Sequence, residues 1–384
     1  MTRKTATRQA ADLIALRREL HRHPEVSDQE ARTAQRIHEF LQVFAPDEII
    51  TGLGGHGLLA LFRGEQPGPG VLVRCELDAL PIPEGRDAPH ASQHAGVSHK
   101  CGHDGHMAIV SGLAPRLRQR PVRHGLVALL YQPAEETGRG AARVVGEPRL
   151  RALDLDYVFA LHNIPGYPLG TFLYREGVFA SASQGMTIDL EGATAHAAEP
   201  QKGRSPALAV AELIQLLSAA PQQAVSMHEA AKVTVIHVCV GEVAFGTTPG
   251  VGRLAATLRT YSDHTMKCLA EHCEGLAQRV ACVHELGVCV NWCEEFPVTT
   301  SDPEALRIVT DAAGECGLRQ ERLTNPFAWS EDFGHLTRAY RGAMFGLGAG
   351  EKSPSLHHPD YEFPDELIEK GTALFETIIR RITD

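Results

Sequence analysis

Three short apolar runs in the first half of the sequence each end in polar residues. The runs are VLVRC, LVALLYQPA and YVFAL, and the polar residues that follow them are Glu76 and Asp78, Glu135 and Glu136, and His162 and Asn163. Stretches with helical periodicity separate these runs. Strands that alternate with helices predict an open α/β sheet that is mixed and partly parallel. Because the carboxyl ends of parallel strands meet at one edge of a sheet, the polar residues are expected to lie together.

The periodicity changes at about residue 181. From there the pattern predicts, in order, a strand (183–191), a helix (205–219), two strands (232–240 and 253–261), a helix (263–281) and a strand (286–293). This βαββαβ order is that of a ferredoxin-like domain. From about residue 300 the α/β alternation returns. The sequence therefore predicts a catalytic α/β domain formed by 1–180 and 295–384, with an inserted ferredoxin-like domain at 181–294.

The composition favours an enzyme acting on small molecules over a polymer-binding protein. The 384 residues carry a formal charge of −10, so no basic field exists to attract nucleic acid or an anionic membrane. The first residues lack the apolar segment of a signal peptide, and no run of about 18 apolar residues could span a bilayer. Nine cysteines in apolar segments suit reduced core thiols. We expect a cytoplasmic protein that binds neither nucleic acid nor membrane.

Two conspicuous patterns do not predict a site. GLGGHG (52–57) fits the dinucleotide-binding pattern, but the residues after it resemble a strand, where that fingerprint needs a helix, so we predict a hairpin. The segment 268–293 contains five cysteines and two histidines without the paired C-x₂-C spacing of a structural zinc site. We interpret it as a helix and a core strand with buried thiols.

The stretch CGHDGH (101–106) adds Cys101 and His103 to the same edge of the predicted sheet, and His357 and His358 lie near the end of the chain. Taken singly, each of these residues also fits a role outside a metal site. Asp104 fits a helix N-cap, adjacent glutamates are often solvated, and Cys101 with a histidine could form a nucleophilic pair. A group of cysteine, histidine and glutamate side chains on one edge is what a metal centre requires.

Nine motifs occur in an order that resembles one enzyme family. They are LRRELHRHPE (16–25), LDALP (77–81), CGHDGH (101–106), QPAEE (132–136), LHN (161–163), GATAHAAEP (192–200), TLRT (257–260), SEDF (330–333) and LHHP (356–359). The chain resembles amidohydrolases of the M20 metallopeptidase family over nearly its whole length. The most similar branch includes hippurate hydrolase, N-acyl-amino-acid deacetylases and auxin-conjugate hydrolases.

This resemblance implies a binuclear metal site and a reaction. The implied ligands are Cys101, His103, Glu136, His162 and His357. The resemblance makes Glu135 the general base, and it places His196 of the inserted domain in the active site of a partner subunit, where it holds the developing oxyanion. It also implies a homodimer or a higher homo-oligomer whose inserted domain acts as lid and dimer contact, with Arg259 available to bind a substrate carboxylate.

The chemistry of these residues suits the implied roles. A thiolate, imidazoles and a carboxylate are ligands for zinc, manganese, cobalt or nickel. Two such ions can polarise an amide carbonyl and supply a bridging hydroxide near neutral pH. Asp78 and Asp104 are candidates to orient ligand histidines through their second ring nitrogens. We therefore expect hydrolysis of N-acyl amino acids or related small amides. The alternatives are a dipeptidase or carboxypeptidase, a cysteine hydrolase and a non-catalytic binding relative.

Three positions depart from the usual pattern of the family. Glu76 stands where many relatives have an aspartate beside the metal site, and Gly246 of GTTP stands where relatives commonly have an asparagine associated with substrate. His358 lies next to His357, and either of the two could be the ligand. These departures leave the substrate open.

Overall fold

The protein is described by a computed structural model that covers the backbone of residues 3–384 and the side chains from residue 12 onward. The chain divides into two compact units. The first comprises the chain up to Phe179 together with Thr299–Pro326 and Asp332–Asp384, and the second comprises Ala180–Val298 and Phe327–Glu331. Among the described residues, no helix is long and apolar enough to cross a membrane.

The helices and strands follow one another along both units. The helices are α1 (Arg3–Arg22), α2 (Ala31–Gln42), α3 (His103–Ser111), α4 (Leu113–Gln119), α5 (Gly140–Gly146), α6 (Pro148–Arg151), α7 (Ala207–Ala224), α8 (Asp263–Val283), α9 (Pro303–Glu315), α10 (Gly334–Ala339) and α11 (Glu366–Thr383). The strands are β1 (Glu48–Leu53), β2 (Gly57–Arg63), β3 (Gln66–Glu76), β4 (His124–Gln132), β5 (Tyr157–Ile164), β6 (Phe172–Tyr174), β7 (Gly177–Ala180), β8 (Ala182–Glu191), β9 (Ala195–His196), β10 (Ala231–Val240), β11 (Thr247–Thr248), β12 (Val251–Thr260), β13 (Gly287–Phe296), β14 (Thr299–Ser301), β15 (Gln320–Arg322) and β16 (Arg341–Gly348).

The first unit is built on an eight-stranded sheet with the order β1-β2-β4-β3-β5-β16-β6-β15. Strands β4, β3, β5 and β16 are parallel to one another, whereas β2 pairs with β4 and β6 pairs with β16 in antiparallel fashion. The sheet is therefore mixed and partly parallel, as the alternation of strands and helices predicts. The parallel strands are nearly continuous apolar runs because helices cover both faces of such sheets.

The pattern GLGGHG forms a hairpin, as expected. Strands β1 and β2 are antiparallel, and Leu53 pairs with Gly57 across the turn. Gly54 has a φ of +60°, in the left-handed region that favours glycine. No helix follows the glycines, so this segment lacks the helix amino terminus that would bind a pyrophosphate.

The second unit contains a four-stranded antiparallel sheet with the order β10-β12-β8-β13. Its main elements follow the chain as strand, helix, strand, strand, helix and strand. Alternate residues of β8 and β12, such as Ile188 and Leu254, are fully buried, whereas Val251 and Arg253 are exposed. This alternation is typical of an antiparallel sheet with one covered face.

After residue 294, the bounds of the two units differ from the predicted domain bounds. Residues 295–298 and the short segment Phe327–Glu331 group with the second unit. Hydrogen bonds explain why the segment Phe327–Glu331 groups with the second unit. The backbone N of Ser181 donates to Phe327 O and Trp329 O at 3.1 Å each, and Arg259 donates to Ala328 O at 3.1 Å. Such long-range pairing has no local sequence signal.

The expectation of buried thiols is wrong for most cysteines. Of the nine, only Cys75, Cys101 and Cys273 are buried. In the segment 268–293, the predicted helix and strand are present as α8 and β13, yet Cys282, Cys289 and Cys293 are exposed. The strand β13 lies at an edge of its sheet, and its residues are at least partly accessible throughout.

Candidate metal centre

The predicted site residues of the first unit converge at the carboxyl ends of three neighbouring parallel strands. Strand β3 leads into Asp78, β4 leads into the turn that carries Glu135 and Glu136, and β5 carries His162 near its end. The helix α3 begins at His103 after a sharp turn at Gly102. Gly102 has a φ of +94°, and a β-carbon there would lie 2.7–2.9 Å from the side-chain amide of Asn163. Only glycine fits this position without strain.

Several groups of described side chains could hold a metal ion, because their donor atoms lie within 4.8 Å of one another, and three overlapping groups contain only predicted ligands and the predicted general base. These three groups are Cys101, His103 and His162; Cys101, Glu136 and His357; and His103, Glu135 and Glu136. The structure thus brings together all five residues predicted as ligands and the predicted general base. Cys101 belongs to two of these groups, and so does His103.

The two buried histidines present one nitrogen each to this cluster. The Nδ1 of His103 donates to the backbone oxygen of Asp78 at 2.8 Å, and the Nδ1 of His162 donates to the backbone oxygen of Asn163 at 2.9 Å. The Nε2 of His103 lies 4.0 Å from Glu135 and 3.8 Å from Glu136, and it is buried without a hydrogen-bond partner among the described residues. A buried nitrogen of this kind fits a metal ligand.

The protonation state of the histidines also fits metal binding. Burial lowers the pKa of His103 and lowers that of His162 well below the ordinary value. Burial lowers the pKa of His357 as well, although half of its side chain is exposed. Neutral imidazole is the form that binds a metal ion. The donor set of sulfur, nitrogen and oxygen therefore fits borderline divalent cations.

Asp78 contacts His103 through its backbone oxygen and not, as expected, through its carboxylate. Its carboxylate accepts hydrogen bonds from the backbone N of Glu135 at 3.1 Å and of Glu136 at 3.0 Å, and from the hydroxyl of Ser27 at 2.7 Å. The closer contact of His103 is with the backbone oxygen of Asp78, since the carboxylate lies 3.8 Å away. Asp78 therefore fixes the turn that carries both glutamates.

Asp104 also differs from both predicted roles. The α3 helix has Gly102 at its N-cap position with no side-chain cap, and the Asp104 carboxylate accepts from His21 at 2.8 Å and from Arg17 at 3.4 Å. Burial alone would raise the pKa of Asp104, but His21 and Arg17 lower it below its usual range. The partner of Asp104 is thus a histidine outside the predicted ligand set, on α1, and the sequence gives no signal for this pairing.

Of the two adjacent histidines near the carboxyl terminus, the structure brings His357 into the cluster. Its Nε2 lies 3.7 Å from the carboxylate of Glu136, and its φ of +65° is in the left-handed region. The ring of His358 is turned to Asp360, whose backbone N donates to its Nδ1 at 3.1 Å. The left-handed backbone of His357 is uncommon for a residue with a β-carbon and is often found at functional sites.

A buried polar network behind the cluster was not predicted from the sequence. The Glu76 carboxylate accepts from Arg74 and from His106 Nδ1, the latter at 2.6 Å, and the other ring nitrogen of His106 donates to Asn163 Oδ1 at 2.5 Å. Asn163 in turn donates to the backbone oxygen of Cys101 at 3.1 Å. Burial would raise the pKa of Glu76, but Arg74 and His106 lower it. Glu76 therefore stabilises the backbone of the cluster through His106 and Asn163.

The remaining predicted residues lie in the second unit. His196 is exposed in β9, and its Nδ1 accepts from the backbone N of Ala198 at 3.1 Å. Arg259 donates to Ser330 at 2.9 Å, and burial lowers its pKa. Gly246 lies in an exposed loop, where an added β-carbon would meet no atom within 4 Å. The roles of His196 and Arg259 stay predictions.

Comparison with curated proteins gives relatives that match nearly the whole chain. An N-acetyl-L-cysteine deacetylase of Bacillus subtilis (strain 168) is 30% identical over 97% of this chain and 88% of its own length. An N-acetyldiaminopimelate deacetylase of Geobacillus sp. (strain WCH70) is 28% identical over 95% of this chain and 96% of its own length. These relatives agree with the resemblance on which the prediction of an amide-hydrolysing enzyme depends.

Comparison with solved structures gives the same result. A Bacillus subtilis protein described as a dinuclear metal-binding peptidase of the M20 family has a TM-score of 0.82 at 26% identity and covers 98% of this chain and 99% of its own. A sequence model of the peptidase family M20/M25/M40 matches residues 72–381. Peptidases hydrolyse amide bonds, so the prediction of an enzyme that hydrolyses amide bonds is confirmed. The chain belongs to peptidase family M20/M25/M40.

Proposed function

We propose that this protein is a binuclear metal-dependent amidohydrolase that removes the acyl group from N-acyl amino acids. One observation carries the proposal, namely that the donor atoms of six predicted side chains lie in overlapping groups at one edge of the sheet. The names of the curated relatives support an N-acetyl amino acid as substrate. The similarity to a dinuclear metal-binding peptidase of Bacillus subtilis supports two metal ions per subunit.

The residues would hold two ions in two sets. Cys101, His103 and His162 would form one set, and Glu136 and His357 would form the other together with Cys101, which belongs to both groups of neighbouring donor atoms. Bound there, two divalent ions supply Lewis acidity for the amide carbonyl and lower the pKa of water. The chain itself orients the imidazoles through the carbonyls of Asp78 and Asn163.

Glu135 is the candidate general base. The residue is 4% exposed, and one carboxylate oxygen accepts weakly from the backbone N of Asp332 at 3.4 Å. Glu136 is the neighbour assigned to a metal ion, so the two carboxylates have different functions. Glu135 takes a proton from water and delivers it to the leaving amine, a step typically worth about 10²–10⁴ in rate.

A cysteine hydrolase is a second candidate because of one contact. The Sγ of Cys101 lies 3.5 Å from the Nε2 of His162, which is compatible with a thiol and its base. The two candidates respond oppositely to reagents. A chelator abolishes a metal-dependent reaction, whereas a thiol-alkylating reagent abolishes reaction at a free cysteine.

We further propose that the second unit is a ferredoxin-like lid that also forms a homodimer contact in a cytoplasmic enzyme. The order of strands and helices in this unit supports the ferredoxin-like assignment. In this proposal, His196 of a partner subunit binds the developing oxyanion and Arg259 binds a substrate carboxylate. Closure of a lid over the substrate would exclude water and complete the site.

The test is turnover of a small set of amides by metal-free protein, before and after addition of zinc, manganese, cobalt or nickel. The set contains N-acetylcysteine, N-acetyldiaminopimelate, an N-benzoyl amino acid and a dipeptide. We expect activity only with metal and highest on an N-acetyl substrate. Preference for the dipeptide would indicate a dipeptidase, and activity without metal that is lost on alkylation would establish the cysteine hydrolase. Metal uptake without turnover of any member would favour a binding protein.

A further inference from the structure

Lys100 immediately precedes the predicted ligand Cys101, yet it is 1% exposed. Its ammonium donates to the carboxylate of Glu84 and, at 3.0 Å, to the backbone oxygen of Tyr361. Its own backbone oxygen accepts from the backbone N of His357 at 2.9 Å. Lys100 therefore contacts both ends of the segment 357–361.

This segment needs support from outside. His357 has a left-handed backbone, with a φ of +65°, which a residue with a β-carbon adopts only where its surroundings impose it. Half of its side chain is exposed, so its own burial contributes little. Gly85, next to Glu84, adds a third contact by donating to the backbone oxygen of Pro359 at 3.1 Å. Lys100 and the chain at Glu84 thus hold the segment from two sides.

The same glutamate connects Lys100 to the far end of the ligand-bearing stretch. A carboxylate oxygen of Glu84 accepts from His21 Nε2 at 2.9 Å, and His21 Nδ1 donates to Asp104 at 2.8 Å. Burial would raise the pKa of Glu84, but its hydrogen bonds to His21 and Lys100 lower it to about 2. A continuous chain of charged contacts therefore links Lys100 to Asp104, and these two residues flank Cys101 and His103 in sequence.

We propose that Lys100 is a positioning residue of the metal centre. Its ammonium, neutralised by Glu84, holds the segment 357–361 beside Cys101, so that Cys101 and His357 bind the same ion. This inference rests on the proposed function, because it assigns both residues to a metal. The positioning role explains why a lysine occupies a buried position, since a buried ammonium is tolerated only when a carboxylate and further acceptors satisfy it.

The test uses full-length Lys100→Met, which removes the ammonium and keeps most of the volume of the stem. In metal-free protein, we expect the backbone amide of His357 to exchange with deuterium about tenfold faster or more, because the segment opens locally. Zinc titration should then show about 10–100-fold weaker binding of one of two ions, the range typical when a residue that orients a ligand is lost. Lys267→Met is the matched control, since that lysine is 76% exposed in the second unit.

Each result bears on one part of the inference. Unchanged exchange at His357 would overturn the positioning role. Faster exchange with both zinc affinities unchanged would show that Lys100 holds the segment but that this contact does not support zinc binding. A wild-type protein that takes up no metal would overturn the proposed function and the metal part of this inference, while the exchange result would still decide whether Lys100 holds the segment.

A second variant covers failure of Lys100→Met to fold. Glu84→Gln keeps the side-chain length and an acceptor oxygen but leaves Lys100 without its counter-charge. It should therefore weaken the binding of the same zinc ion. If Lys100→Met does fold, the double variant should lose less zinc-binding free energy than the sum of the two single losses, because the two groups act as one pair. Additive losses would contradict the proposed pairing.

Discussion

Glu135 and Glu136 are adjacent in sequence and share a donor group with His103, but only Glu136 also lies in a group with Cys101 and His357. Their divergence depends on the preceding turn, in which Ala134 has a φ of +49° and its backbone N donates to Glu30 at 2.8 Å. The two oxygens of Asp78 then accept the backbone N–H groups of both glutamates. A buried carboxylate that accepts two backbone donors holds a turn rigidly, because its release would leave buried polar groups unsatisfied.

Replacement of Glu135 by glutamine is expected to lower kcat by about 10²–10⁴, because the amide cannot accept the proton of water. Metal content should stay near that of the wild type, since the two proposed ligand sets do not include Glu135. Initial rates and metal analysis of the same preparation test both statements. Glu65→Gln, in an exposed loop, is the control. Full activity of Glu135→Gln would remove this residue from the mechanism.

The helix α3 begins with the predicted ligand His103, and its position is fixed by contacts with α11. The hydroxyl of Thr372 in α11 donates to the backbone oxygen of Ile109 at 2.9 Å. A β-carbon at Gly371 would lie 2.7–3.1 Å from the side chain of Ile109, so the two helices pack at a glycine. The position of His103 therefore depends on packing between α3 and α11.

Gly371→Ala is expected to destabilise the protein by up to about 2 kcal/mol, because overpacking of about 1–3 kcal/mol offsets or exceeds the helix-propensity gain of about 1 kcal/mol. Gly275→Ala in α8 is the matched control. An added β-carbon there meets only the end of the flexible Arg279 side chain at 3.0 Å, so the propensity gain should remain. Urea unfolding measures both changes. Equal stabilisation of the two variants would show that α11 moves freely away from α3.

At the scale of the whole molecule, the predicted ligands are confined to one of the two units. Cys101, His103, Glu136, His162 and His357 all belong to the first unit. A ligand that binds only the folded state stabilises it by about 4 kcal/mol when present at 1,000 times its dissociation constant. This stabilisation should act on the unit that contains the site.

Chelation is therefore expected to lower the unfolding temperature of the first unit and to leave that of the second nearly unchanged. Calorimetry before chelation, after chelation and after return of zinc measures the effect. His357→Ala should reduce the shift that zinc restores, whereas His358→Ala should not, because the ring of His358 is turned to Asp360. An equal shift of both transitions would contradict the assignment of the ions to the first unit.

The sequence predicts the elements better than the contacts between distant residues. Strand and helix positions follow from local periodicity, and the hairpin at 52–57 follows from local turn residues. The partner of Asp104 lies 83 residues away, on α1, and no local pattern encodes that pairing. The exposure of Cys289 was missed for a similar reason, since an apolar strand looks the same at the edge of a sheet as at its centre. Sheet order is a property of the whole chain.

The position of β16 has a consequence for synthesis on the ribosome. This strand, Arg341–Gly348, lies between β5 and β6, so the centre of the large sheet stays open until almost the entire chain has been translated. The contact between Lys100 and Tyr361 spans 261 residues. At about 5–20 residues per second, the emerging chain exposes the apolar edge of β5 for roughly ten seconds or more before β16 arrives. The second unit is continuous apart from five residues, so its sheet is complete in the nascent chain while the first unit still waits for its last strand.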